Sequence, residues 1–313
     1  LMSTTTRRWA SLFGSSKRTE AARQEARKRR EMRKLFMEPL EDRRLLASVN
    51  VDVNGVMTIT LGSGEQAFIN RYDAADFDVG STSGAQDLWN TAGTVNAIHV
   101  VGGAGTQTVT FEKVAGATDI ILPGTAGSAA IQTDGTVENV NINAPIDTTG
   151  GGVNGDLSLS GANIDLGANI STDGGEVSIA ASTRVHITAA LVTIDTESGD
   201  NSSAGSVDFT GTAYVAGSGQ GKDLTISTAT NGGTGGNITL VDTGQESPSW
   251  LNDQSYDSRG SGGNGIIHVN GNLWGDDNGS SDPSSLTMAG PVYLHGSYTF
   301  DVGDSGAQAG SID

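Results

Sequence analysis

From Ser48 onward, apolar residues alternate with polar ones. Val49, Val51 and Val53 share one side of an extended chain, as do Met57, Ile59 and Leu61, Ile98 and Val100, and Val109 and Phe111. A period of two predicts half-buried strands, because successive side chains of a strand point to opposite faces. Each run is short and bounded by Gly, Asn, Asp or Ser, the residues that close turns. No long helical period follows residue 47, which removes the crossover helices of a βαβ fold and leaves an all-β chain.

One phrase, Gly-x-aliphatic-x-apolar, returns along the chain. It begins at Gly155, Gly175, Gly205, Gly236 and Gly265, with variants lacking the glycine at Lys222 and Ser284 and a last partial copy at Gly310-Ser311-Ile312-Asp313. The first aliphatic positions are 157, 177, 207, 224, 238, 267, 286 and 312, so the steps are 20, 30, 17, 14, 29, 19 and 26. A loose period averaging about 22 residues fits a right-handed parallel β-helix, where strands stack at fixed positions and loops vary outside. A propeller needs a steadier, longer period. An immunoglobulin-like sandwich needs a buried Trp, whereas Trp9, Trp89, Trp250 and Trp274 stand in leader or loop-like sequence. Between the phrases lie second and third strands of each coil, such as Ile164 with Leu166 then Ile170, and Val185 with Ile187 then Val192 with Ile194. Val, Ile, Leu and Ala are expected to fill the interior, Gly to make the corners, and Asn163, Asn169 and Asn237 to stack on equivalents in neighbouring coils. About 11–12 coils are expected at roughly 22–25 residues each. Residues 48–130, where the phrase is faint, are expected to form an N-terminal cap and first coils; 131–313 are expected to carry the repeats. The opening Leu1 before Met2 reads as a non-standard start codon or an artificial beginning, and because the chain stops inside a phrase, continuation beyond Asp313 or pairing with another chain is expected.

Residues 1–47 are different. They hold 13 Lys and Arg against 6 Asp and Glu, a net of +7, while the remaining 5 and 30 give −25 after them, which together make the −18 of the whole chain. Lys17 to Phe36 consists of strong helix formers, with Thr19 placed as an N-cap, but Ala21, Ala22, Ala26 and Met32 make too thin a stripe to bury; a basic leader, helical or disordered, is expected. Without aromatic interleaving or a recognisable module, its charge does not point to nucleic acid. Thr6-Arg7-Arg8-Trp9-Ala10-Ser11-Leu12-Phe13 looks like a twin-arginine start but lacks the apolar stretch that follows one. The 313 residues include 45 Gly, 6 Pro and no Cys, which excludes disulfide frameworks, thiolate-ligated metals and thiol nucleophiles, and no triplet repeat supports a collagen. No apolar run reaches the roughly 18 residues of a spanning helix.

Two stretches carry a resemblance. Phe36 to Ala47 resembles the LEPR-xLL segment near the N-termini of large planctomycete surface proteins, matching at Glu38, Pro39, Leu40, Glu41, Arg43, Leu45, Leu46 and Ala47. That family places the segment after a basic stretch and before long repetitive extracellular regions, so the resemblance implies export and display at the cell surface. Ile170 to Ala180, and more loosely residues 130–313, resemble filamentous-haemagglutinin-like surface β-helix repeats in period, composition and the Gly-x-Val-x-Ile phrase.

Candidate chemistry is sparse. His99, His186 and His268 sit between aliphatic residues and His295 follows Leu294, so alternation turns each toward solvent, and no metal or triad motif includes them. A β-helix polysaccharide lyase or hydrolase needs clustered carboxylates with a basic partner. The acids here are dispersed, Arg71, Lys113, Arg184, Lys222 and Arg259 are the only bases after the leader, and only Tyr293, Tyr298 and Phe300 hint at a sugar-stacking surface. Calcium is the one ligand with a candidate loop: Asp276, Asp277 and Asp282, and secondarily Asp195 to Asn201, put oxygen ligands in short Gly-containing segments. The expectation is a non-catalytic, secreted or cell-surface, adhesin-like repeat protein without cofactor, whose partners are surface glycans or proteins. The alternatives are a β-helix carbohydrate-active enzyme and a passive matrix component.

Overall fold

A computed structural model describes residues 47–73, 76–85, 89–92, 94–123, 129–148, 155–199, 203–219, 221–243, 251–275, 284–302 and 311–312. The chain divides into two compact units, Leu1–Leu45 and Leu46–Asp313, and the described residues belong to the second. The basic stretch and the sorting-type residues Glu38, Pro39, Leu40, Glu41, Arg43, Leu45 and Leu46 lie outside them. Among the described residues the protein is all-β. Twenty-six strands form a sixteen-stranded sheet, an eight-stranded sheet and a separate pair.

Pairing is parallel through most of the chain and follows three ladders. The first runs through Met57, Ile98, Ile131, Leu157, Val177, Val207, Ile238, Ile267 and Val292, each registered on the one before. The second runs through Ala67, Val109, Val140, Ile164, Val185 and Val215, then by bridges through Thr243 to Leu273, and on to Phe300. The third runs through Ile120, Ile146, Ile170, Ile194, Ile226, Tyr256 and Met288. From Ile98 onward the chain visits first, second and third ladder in turn, then returns to the first one level further on. The strands Leu157–Leu166 and Val177–Ile187 are long enough to span the first two ladders, with a register shift near Gly161, which merges both into the larger sheet. Away from the last level nearly all these ladder residues are fully buried. The alternation therefore marks one inward wall of each strand.

The two phrase variants without glycine, and the last partial copy at Gly310, belong elsewhere than their spacing predicts. Leu224, Leu286 and Ile312 stand in the third ladder, two residues ahead of its Ile226 and Met288 column. Every inward strand reads aliphatic-x-aliphatic, so that pattern cannot tell one wall from another. With these copies reassigned, the first ladder steps by 20, 30, 31, 29 and 25 from Leu157 to Val292, and nine levels are present among the described residues.

A crowded glycine corner marks the first wall. Gly155, Gly175, Gly205, Gly236 and Gly265 form a column two residues before the first ladder. A Cβ on Gly175, Gly205, Gly236 or Gly265 would lie 2.2, 2.1, 2.0 or 1.9 Å from the carbonyl oxygen of the glycine one level below. Beside it runs a column of buried hydroxyls. Thr148, Thr172, Thr196 and Thr228 donate to the carbonyls of Gly155, Gly175, Gly205 and Gly236 at 2.9, 2.7, 2.6 and 2.6 Å, and Ser258 donates to Gly265 at 3.2 Å. A corner too tight for any side chain thus has its carbonyls satisfied from inside.

The interior is not purely aliphatic. At one level the side chains of Thr243 and Tyr256 both donate to Gln254 Oε1 at 2.9 Å, and Gln254 Nε2 donates to the Trp274 carbonyl at 2.8 Å. Tyr256 and Gln254 occupy ladder positions held by Ile226 and Leu224 one level earlier, and burial pushes the Tyr256 phenol up. A buried polar knot with its groups matched adds directional specificity that aliphatic packing lacks. Of the expected asparagine stacks, Asn163 donates to Asn139 Oδ1 at 3.0 Å. Asn169 and Asn237 instead accept from the backbone N–H of Thr193 and Ile266.

The N-terminal end is antiparallel. β1 (Ser48–Val51) pairs antiparallel with β2 (Val56–Leu61), β4 (Asp76–Gly80) with β3 (Gln66–Asp73), and β5 (Trp89–Ala92) with β4. Val53 leaves the expected alternation: Asp52 Oδ1 accepts the Asn54 and Val56 N–H groups, Gly55 takes a φ of 77°, and Val53 projects fully into solvent. Asp-Val-Asn-Gly makes a tight turn, which outweighs one apolar residue in register. Trp89 and Trp274 lie in strands rather than loops.

Candidate functional site

Residues that alternate with the first ladder face outward and stack in the same register. Ser178, Asp208, Thr239, His268 and Tyr293 are consecutive partners in this row. At a strand spacing of about 4.8 Å, their side chains recur along a line of roughly 19 Å. Glu176, Ser206 and Asn237 form a bank on one side and, with Ser178, Asp208, Thr239 and His268 of the row, line a shallow trough of about 320 Å³. Strand pairing positions these groups, and local bonds orient them: Asp208 Oδ1 accepts the backbone N–H of Thr210 at 2.7 Å and also its hydroxyl. Asn237 Oδ1 accepts the Ile266 N–H at 2.9 Å. The trough offers carboxylates, hydroxyls and an imidazole to a polar ligand.

An aromatic group closes its end. His268 Nδ1 lies 3.0 Å from His295 Nε2, with ring centroids 5.2 Å apart. Tyr293, 57% exposed, meets His295 edge-on at 4.8 Å and His268 at 6.0 Å. Alternation along the strands puts both histidines on the outward side but does not bring them together. The missing signal was the 25-residue step from Ile267 to Val292, whose phrase Gly290-Pro291-Val292-Tyr293-Leu294 the sequence reading did not single out. His99, His186 and His268 are half-buried rather than free in solvent, because neighbouring levels bank them. His186 Nδ1 lies 4.0 Å from Asp165 Oδ1.

Asp276, Asp277 and Asp282, the candidate calcium loop, lie outside the described residues. In the second acidic segment, Thr196 points inward to the glycine column, and Glu197 is buried opposite Asp173. Burial, then the charge and hydrogen bond of Glu197, hold the Asp173 carboxyl above the ordinary range. Among the described residues no three His, Asp or Glu side chains are grouped to hold a metal. A buried carboxylate that the sequence reading did not single out, Glu112, accepts from Asn70 Nδ2 at 2.9 Å, Ser83 Oγ at 2.6 Å and the Gly84 N–H at 2.8 Å. It ties the turn after β4 to the sheet.

No family model, curated protein or solved structure matches this chain. Among the described residues no helix is long and apolar enough to cross a membrane.

Proposed function

We infer that this chain is a non-catalytic structural module of a secreted or cell-surface, adhesin-like protein, built as a right-handed parallel β-helix behind a basic export leader. The observation that carries this reading is the cyclic visit to three in-register parallel ladders, lined inside by aliphatic columns and a glycine-hydroxyl corner. Such stacking supports its shape coil by coil and leaves the outward rows free to differ, which suits a scaffold that presents surface. The resemblance of residues 36–47 to the LEPR-xLL segment supports export and display.

The experiment is surface labelling of intact cells that make the protein, using an antibody raised against residues 48–313 and a membrane-impermeant biotin reagent. Labelling of unbroken cells or recovery from the medium supports the reading. Recovery only from the soluble interior after lysis contradicts it.

One observation favours a second reading, a carbohydrate-active β-helix enzyme: Glu176, Asp208 and His268 line one trough, and Tyr293 is registered on His268. Incubation of the full chain with acidic, neutral and amino-sugar polysaccharides separates the two. New reducing ends or unsaturated products that are lost in Asp208→Asn favour the enzyme.

A further inference from the structure

We propose that His268 and His295 together form a two-imidazole site for a divalent transition metal, with Cu(II) preferred. The inference is independent of the display function, since it rests on two side chains and their separation. His268 comes from the strand Ile267–Val269 and His295 directly follows Val292–Leu294, its registered neighbour. The His295 N–H donates to the Val269 carbonyl at 3.1 Å, which fixes the backbone of the second ligand against the first. The ladder therefore supplies the preorganisation that a chelate needs.

The 3.0 Å between Nδ1 and Nε2 lets a single ion bridge both nitrogens. With metal–nitrogen bonds of about 2.05 Å, two donors 3.0 Å apart subtend about 94° at the metal, whereas a tetrahedral pair needs about 3.3 Å. Near-right angles belong to tetragonal copper and nickel sites, and the Irving–Williams order puts Cu(II) first among divalent ions. Each neutral imidazole carries one proton and one lone pair. One ring now donates N–H to the other. For both facing nitrogens to ligate, that proton exchanges through water to the far nitrogen of its own ring, His268 Nε2 or His295 Nδ1, with no net proton change between neutral rings. The rings tilt toward the metal, which the exposed His295 side chain allows. The remaining positions are filled by water, because Tyr293 and His295 stand at the surface.

The test titrates full-length protein with Cu(II), Ni(II) and Zn(II) by calorimetry and records electron paramagnetic resonance at one equivalent of copper. The expected result is one copper site with two-nitrogen hyperfine structure, bound more tightly than nickel or zinc. His268→Ala and His295→Ala each weaken it by about tenfold or more, while His99→Ala and His186→Ala leave it unchanged. Both strand-forming partners keep their backbone bonds in these variants, and an unaltered circular dichroism spectrum confirms folding. Copper held with the parent's affinity in either single variant, an oxygen-only spectrum, or tighter zinc than copper overturns the proposal.

Discussion

The stacked levels from Leu157 to Ile267 and those before Ala130 build the same first ladder by different means. In the later region each turn into the ladder passes through the glycine column, where a side chain would collide with the backbone one level below, and a buried hydroxyl caps each carbonyl. The earlier levels enter the same ladder through Asn96 before Ile98 and Ala129 before Ile131, with no such column. Their steps are longer, 41 and 33 residues, and their free edges are covered by the antiparallel β1 and β4. Antiparallel cover blocks further parallel addition at that end. The glycine column is thus the mark of a tight repeating corner rather than of the ladder itself, and the repeat fades where the corner is looser.

The largest expected effect comes from filling that corner. Gly205→Ala puts a Cβ 2.1 Å from the Gly175 carbonyl oxygen and is expected to cost about 3 kcal/mol or more, since neither backbone can yield without shifting a whole level. Gly64→Ala, in open space but at a φ of 73°, should cost about 1 kcal/mol, and Gly219→Ala, unhindered, close to zero. Chemical denaturation with hydrogen exchange resolves the series. Equal losses at all three sites would break the distinction between a crowded corner and an ordinary turn.

A smaller loss tests the hydroxyl column. Thr196→Val keeps shape but strips the donor from the Gly205 carbonyl, with an expected cost of about 1–2 kcal/mol, while Thr193→Val on the outward side of the preceding strand, Leu191–Asp195, should be near neutral. Hydrogen exchange should localise the Thr196 effect to the levels of Val177 and Val207. A uniform effect along the chain would argue against corner-by-corner support.

The smallest effect depends on pH and has a definite sign. The folded Asp173 carboxyl is held above its unfolded value of 3.8, by burial first and Glu197 second. Its contribution to stability is therefore complete below that value and is lost as pH rises through the folded value. Asp173→Asn removes the charge that opposes Glu197, so the variant should be more stable than the parent at pH 7, with the gap closing as the solution is acidified toward pH 3.8. Thermal melts across this range check it, and a variant less stable at neutral pH would reverse the assignment.

Legibility followed the same divide. Inward positions such as Leu157, Ile164 and Ile170 could be read from alternation because every wall buries one face of a strand. Wall membership could not: Leu224 and Leu286 look like phrase residues yet sit in the third ladder. The knot of Thr243, Gln254 and Tyr256 was illegible because its polar residues occupy aliphatic positions and find each other only across a level. The pairing of His268 with His295 needed the register, which alternation alone does not supply.

Distance between outward residues of separated levels tests the stacking most directly. The chain has no Cys, so spin labels can be placed singly at Ser178→Cys and Tyr293→Cys, which are 115 residues apart and four steps along one row. Four steps of about 4.8 Å predict a narrow dipolar distance near 19 Å between the backbones, widened only by the label arms. A broad distribution centred beyond about 35 Å would contradict a single row at strand spacing.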